Sequence, residues 1–403
     1  MKDVIQASRS GMEKVAKIIE SREDYSYIFQ PRLDELSYSE LPLDDRGLVP
    51  AQEALAFFKE RMRKTRRVKY IAPPAALKCD TLAYGSTRNN RREFDFFAEM
   101  LADQGHSSQI ANIADFPVKR FRIKDDEFLR AQDIVFEQFL SARSAVKVEL
   151  LYQVIRFSQS VFSGLDLMQH CRSSVFAVSN DHSPVPVGLT KAAELKGLST
   201  VYLQHAEVSE HFPPLDFDLS ILRSEHSRRV YESIAPIAGE VRVVPRVSGG
   251  LDWDDISARH EALLTRDRVP VVVYPSRISD TEKVVELCQL LQDNPAVDGV
   301  SVKTHPRATN RDELRGAGLT LRDQPLDEPH VAICGNSGVV VELVAEGNLV
   351  YQYFPMDQVT PDFYGFVRHG LTAPLTVADL QGRFTDDLPV SGKHLERIER
   401  FVR

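Results

Sequence analysis

The chain has 403 residues, too many for one ordinary core, and fits two domains of about 200 residues each. Apolar residues make up 43% and charged residues 27%, which excludes an intrinsically disordered chain. The net charge of −8 argues against a nucleic-acid partner, because an acidic chain repels phosphate unless its basic groups cluster. Basic clusters occur at Lys59 to Lys69, which reads as a solvated helix face, and at Arg88 to Arg92. Cys79, Cys171, Cys288 and Cys334 are far apart, and no CxxC or Cys/His cluster has metal-ligand spacing. No metal is expected, and buried free thiols in a reducing compartment are. The opening MKDVIQASRSGMEKV lacks the apolar core of a signal peptide, and no apolar run reaches the ~18 residues of a membrane span. The expectation is a cytoplasmic protein whose association with the inner face of the plasma membrane would be peripheral.

In chain order, residues 1 to about 65 read as polar and helical, and Val68-Lys69-Tyr70-Ile71-Ala72 reads as a strand stopped by Pro73-Pro74. Residues 93–102 carry apolar positions at helical spacing, and residues 127–165 extend that pattern over one long stretch. From residue 175 the texture changes. Val175–Val178 predicts a buried strand, Leu189–Lys196 a helix closed by Gly197, Ser199–Leu203 and Leu219–Leu222 further strands, and the stretch through Arg229 and Tyr231 a helix. The interdomain crossing is placed between about 240 and 268, at Val247-Ser248-Gly249-Gly250 and the acidic stretch after it. A second alternating block follows: strands at Val269–Tyr274, Val297–Lys303, Val331–Cys334 and Leu349–Phe354, with helices at Thr281–Asp293 and Ser337–Glu346. Strand–helix alternation with short connections predicts parallel sheets covered on both faces. The predicted fold is therefore α/β, two doubly wound parallel-sheet domains with a cleft between them, residues 1–245 and 246–403, the C-terminal tail packing back on the first domain. Ligands in such sheets bind beyond the carboxyl ends of the strands.

Three segments stand at those ends. In Val302-Lys303-Thr304-His305-Pro306-Arg307, a Lys, a His and an Arg leave a strand together, which suits a phosphate: Arg binds it bidentately and Lys as a point charge. In Val331-Ala332-Ile333-Cys334-Gly335-Asn336-Ser337-Gly338, a strand runs into a turn that opens a helix. The unpaired N–H groups and positive dipole end there favour an anion, with Asn336 and Ser337 adding side-chain bonds. It is neither a Walker loop nor GxGxxG. Glu342, one turn into that helix, is placed to accept bonds from ribose hydroxyls. Ser276 and Arg277, just past Val269–Tyr274, complete the donor-side set with Gly338. In Tyr202-Leu203-Gln204-His205-Ala206-Glu207, His205 and Glu207 follow a strand, and Asn180-Asp181-His182 ends the preceding one. A transferase needs a base for the acceptor hydroxyl, or a carboxylate that attacks the donor; Asp181, His205 and Glu207 are the candidates.

The stretch from Thr200 to Tyr231 resembles the "QHG…P…D" segment of bacterial capsule, teichoic-acid and lipopolysaccharide glycan transferases, with Ala206 where glycine is usual. KTHPR and GNSGVVVELVAEG resemble the "HP" and serine motifs of GT-B transferases that use cytidine nucleotides, such as capsular Kdo transferases, bacterial sialyltransferases and CDP-glycerol glycerophosphotransferases. The resemblance covers about residues 175–355. It implies that His305 and Ser337 contact the donor phosphate and that His205 lies on the acceptor side as a base. The paired serines of the motif are replaced by Gly335-Asn336-Ser337, and no acidic pair followed by glycine is present. The implied activity is metal-independent glycosyl transfer from a CMP-linked sugar of the Kdo or sialic-acid type onto capsule or O-antigen. The cofactor expectation is none beyond that nucleotide-sugar donor; the partners are the donor and a glycan or lipid-linked glycan acceptor. Three alternatives stand beside it: polyol-phosphate transfer from CDP-glycerol or CDP-ribitol, a non-catalytic nucleotide- or glycan-binding subunit of a polysaccharide assembly complex, and a UDP-sugar 2-epimerase-like enzyme.

Overall fold

The computed structural model describes residues 79–106, 108–122, 171–210, 212–244, 253–276, 279–305, 308–357 and 360–376, the strands at 48–50, 67–71 and 145–147, and isolated positions 56, 156, 160, 163–164, 167–168 and 380. The chain divides into two compact units. The first comprises residues 1–205, 211–222 and 234–242, the second 206–210, 223–233 and 243–403. The segment carrying Glu207 thus belongs with the second unit, although the strand before it belongs to the first.

Up to residue 243 the elements are β1 (Leu48–Pro50), β2 (Arg67–Ile71), β3 (Thr81–Tyr84), α1 (Arg88–Asp103), β4 (Ile110–Asn112), β5 (Val118–Arg122), β6 (Ala145–Lys147), β7 (Val175–Val178), α2 (Pro184–Lys196), β8 (Ser199–Leu203), β9 (Asp216–Leu222), α3 (Glu225–Ile234) and β10 (Ala238–Val243). The first unit's main sheet has the order β10-β9-β8-β7-β3-β4. Its pairs from β4 through β9 are parallel. Two short antiparallel pairs, β1 with β6 and β2 with β5, stand apart from it. Strand β2 occupies the predicted Val68–Ala72 run. Strand β6 interrupts the stretch read as continuous helix over 127–165, and β1 falls inside the stretch read as helical before residue 65. Both corrections have one cause: a three-residue strand is held by its partner across the sheet and leaves no periodicity of its own.

Helix α2 starts at Pro184, five residues before the predicted Leu189, because proline is accommodated in a helix's first turn, where its missing N–H has no partner to lose. It ends as predicted at Gly197, whose φ of +75° lies in the left-handed region that a side chain disfavours.

The second unit continues with α4 (Trp253–Leu264), β11 (Val269–Tyr274), α5 (Thr281–Gln292), β12 (Val297–Lys303), α6 (Arg311–Gly316), β13 (Leu321–Arg322), β14 (Val331–Cys334), α7 (Val339–Ala345), β15 (Leu349–Gln352) and β16 (Ala373–Pro374). Its sheet, ordered β13-β12-β11-β14-β15-β16, is parallel at every pair. Alternate residues of one strand enter two different cores. Val271 and Val273 of β11 pack with Val284, Leu287 and Leu291 of α5, whereas Val272 and Tyr274 pack with Val340, Leu343 and Val344 of α7. Burial on both faces explains why these strands read as uninterrupted apolar runs rather than alternating ones. The expected α/β fold of two parallel-sheet units is the fold observed. Among the described residues, no helix is long and apolar enough to cross a membrane.

Candidate functional site

The second unit's sheet changes direction at β11. The chain moves from β11 outward through β12 to β13, then returns to place β14, β15 and β16 on the other side. Loops after β11 and β14 therefore part, and the crevice beyond their carboxyl ends is where a parallel sheet accepts a ligand. Ser276 lies two residues past β11, Gly335-Asn336-Ser337-Gly338 follow β14 directly, and Lys303-Thr304-His305 ends β12. The predicted donor-side residues Ser276, Lys303, His305, Asn336, Ser337 and Gly338 thus share one edge of one sheet. Arg277 and Arg307 lie outside the described residues.

The turn after β14 is held by a carboxylate that sequence reasoning missed. Asp357 accepts the backbone N–H and the side-chain amide (3.3 Å) of Asn336 through Oδ2, and bonds from both the hydroxyl and the backbone of Ser276. The Asn336 side-chain oxygen accepts the N–H of Phe363 at 2.8 Å, so this side chain is a structural tie. A Cβ placed on Gly335 would stand 2.6 Å from Asp357 Oδ1. Only a residue without a side chain lets the carboxylate come that close. Burial raises the Asp357 carboxyl above its ordinary range, against the lowering effect of its bonds to Ser276 and Asn336. One signal could have found it: Asp357 lies just past the predicted strand at Leu349–Phe354, on the same carboxyl edge.

This network revises the anion site expected at the turn. The Asn336 N–H is already engaged by an internal carboxylate, and the helix begins at Val339 rather than Ser337 and runs only seven residues. Ser337 remains half-buried, its Oγ accepting the Val339 N–H at 3.4 Å, with Gly338 beside it. Lys303 is half-buried and its ammonium donates to the Thr304 carbonyl at 3.3 Å. Glu342 is exposed on α7.

Glu207 is only 5% exposed and belongs to this unit. Gly338 lies against it: a Cβ there would be 3.3 Å from Glu207 Cγ. Its Oε2 has no hydrogen-bond partner among the described residues. The carboxyl is pushed up to about 7, chiefly by burial and with a contribution from Glu342, against the lowering effects of Arg223 and a bond from Ser227. A carboxyl poised near neutrality beside the turn can exchange a proton or accept a bond from a ligand hydroxyl.

In the first unit, Ser179-Asn180-Asp181-His182 follow β7 directly and Gln204-His205 follow β8. Asp181 and His182 are buried, and Asp181 Oδ1 lies 2.9 Å from His182 Nδ1. His205 is half-buried just past β8. Asp181 and His205 therefore belong to the first unit and Glu207 to the second. Among the described residues, no group of three or more His, Cys, Asp or Glu is placed to hold a metal ion.

No protein-family model matches the chain, and no curated protein matches it. Several solved structures are similar to it. UDP-GlcNAc 2-epimerase from Neisseria meningitidis, bound to UDP-GlcNAc, matches 80% of this chain and 94% of its own, at 12% identity and a TM-score of 0.41. MurG of Acinetobacter baumannii matches 79% of this chain and 93% of its own, also at 12% identity and 0.41. The trehalose 6-phosphate synthase of Burkholderia multivorans matches 81% and 94%, at 10% identity and a TM-score of 0.40. What the site can do rests on its own residues.

Proposed function

We propose that the protein is a glycosyltransferase that holds a nucleotide-activated donor on its second unit and passes the sugar to a hydroxyl of a growing bacterial surface glycan, such as capsule or O-antigen. One observation carries the reading. Ser276, Lys303, His305 and Ser337 leave the carboxyl ends of three adjacent parallel strands around the point where the sheet changes direction, with the buried Glu207 carboxyl against the same turn. Lys303, His305 and the Ser337 hydroxyl supply the donors that a departing phosphate needs, with no metal required. Ser276 and the Asn336 amide hold the turn through Asp357. The Glu207 carboxyl, raised to about 7, is partly neutral near that pH, which lowers the repulsion an anionic ligand would meet. The donor is CMP-linked, of the Kdo or sialic-acid type, on the resemblance of KTHPR and GNSG to the cytidine-using transferases.

Calorimetric titration with CMP, and separately with UDP, tests this. CMP binds the native chain and raises its melting temperature, since a ligand that binds only the folded state stabilises it. Lys303→Ala, His305→Ala and Ser337→Ala each weaken CMP by about tenfold, the loss of roughly 1.4 kcal/mol from one charge-assisted bond. Undiminished CMP affinity in all of these variants overturns the donor site. Binding of UDP with no response to CMP keeps the site and overturns the cytidine assignment. Phosphorus in the transferred product would move the reading to CDP-polyol chemistry.

A further inference from the structure

The segment 206–210 lies in the second unit, and the Glu207 side chain packs there against the turn that carries Ser337. A Cβ on Gly338 would stand 3.3 Å from Glu207 Cγ and 3.8 Å from its Cβ, so the stem of the side chain lies along the backbone of the turn itself. The residue is 5% exposed, and its Oε2 has no hydrogen-bond partner among the described residues. A buried polar atom left in this way is rare and costly, and a ligand seated at the turn is a partner that completes it.

The surrounding groups decide which form of the carboxyl meets an anion. Arg223, just before α3, and the Ser227 hydroxyl on α3 favour the ionised form. Glu342 on α7 opposes it, and Gly338 brings no charge. Burial outweighs them and holds the group at about 7. An ionised carboxylate offers acceptors alone, and a phosphate oxygen is an acceptor too, so the two repel. The protonated carboxyl has one O–H. A bond donated from it to a phosphate oxygen removes the repulsion and gives Oε2 its partner.

We propose that the nucleotide donor is bound with Glu207 in its acid form, the Oε2 hydroxyl donating a hydrogen bond to a phosphate oxygen held at the Ser337–Gly338 turn. This rests on the donor-site reading and adds a proton to it. Binding takes that proton from water onto Oε2, and release of the nucleotide returns it. No bond to carbon or phosphorus forms or breaks at Glu207.

The test uses the full chain and two phosphodiester probes, the 5′-methyl phosphates of cytidine and of uridine. A diester keeps its single negative charge across the range used, whereas the monoester CMP itself titrates near pH ~6. Affinity is measured by calorimetry for wild type, Glu207→Gln, Glu207→Ala and His305→Ala. Wild-type affinity falls by about thirtyfold between pH 6 and pH 8.5, as the acid form of a carboxyl held at about 7 is lost. Titration at pH 8 in buffers of different ionisation heat counts about one proton taken up per ligand bound. Glu207→Gln keeps the wild-type pH 6 affinity across the range and takes up no proton, because its amide still donates. Glu207→Ala binds about tenfold more weakly than wild type does at pH 6, with no dependence on pH. His305→Ala binds more weakly yet keeps the fall with pH, which separates the carboxyl from the nearby imidazole. Wild-type affinity that is level over the range, or a fall that survives in Glu207→Gln, overturns the proposal and leaves the donor site standing. Should Glu207→Gln fail to fold, the proton count in His305→Ala decides: none taken up is the opposing result. A wild type that binds neither probe at any pH removes the donor site, and this inference with it.

Discussion

Gly335→Ala lowers the stability of the chain by about 3 kcal/mol. Overpacking a close-packed site costs roughly 1–3 kcal/mol, and here the added methyl also displaces a carboxylate from its hydrogen bonds. The new Cβ would lie 2.6 Å from Asp357 Oδ1 and also against Oδ2 and Cγ of the same side chain. Asp357 cannot withdraw without releasing the Asn336 N–H and the Ser276 bonds that shape the turn. Urea denaturation measures the effect. In an Asp357→Ala background the carboxylate is gone, so the same glycine substitution costs much less, and the double-mutant cycle shows positive coupling. A neutral Gly335→Ala, or the same cost in both backgrounds, would mean that the carboxylate does not hold the turn.

Glu207→Gln makes the chain more stable than wild type above neutral pH and no more stable in mild acid. The Glu207 carboxyl is raised from 4.5 to about 7, first by burial and then by Glu342, against Arg223 and Ser227. A group whose folded pKa lies above its unfolded value contributes its stability fully below the unfolded pKa. That stability is lost as pH rises through the folded pKa. The window therefore runs from about 4.5 to about 7, and the loss across it is on the order of 3 kcal/mol. Glutamine mimics the protonated carboxyl and carries no charge to bury. Denaturation midpoints at pH 5 and pH 8.5 should converge for wild type and variant at the lower pH and separate at the higher. Parallel pH profiles would show that Glu207 is not held near neutrality.

The candidate site was legible in part. KTHPR and GNSG stood out because a strand that ends in polar or glycine residues marks a sheet edge. Their places at strand ends followed from the alternation of elements, whereas their positions on either side of β11, at the ends of β12 and β14, are set by the fold. The controlling carboxylate at Asp357 did not stand out, since its place just past a strand marks the sheet edge and does not show that it reaches Asn336, 21 residues earlier in the chain. The roles also shifted on contact: Asn336 ties down Phe363, and Asp181 is joined to His182.

By itself the sequence determined where the sheets are, because VPVVVY, VAIC and VFAV bury both faces and must be apolar throughout. It also determined the close of α2, because Gly197 takes a backbone conformation that other residues resist. Only the tertiary structure decided that strand β3, four residues long, completes the first sheet between β7 and β4, and that Glu207 belongs with the second unit rather than with the strand preceding it. It likewise decided that the Glu207 carboxyl lies near neutrality. Burial and charge act through space, and the groups that set Glu207 lie at Arg223, Ser227 and Glu342, far along the chain from it.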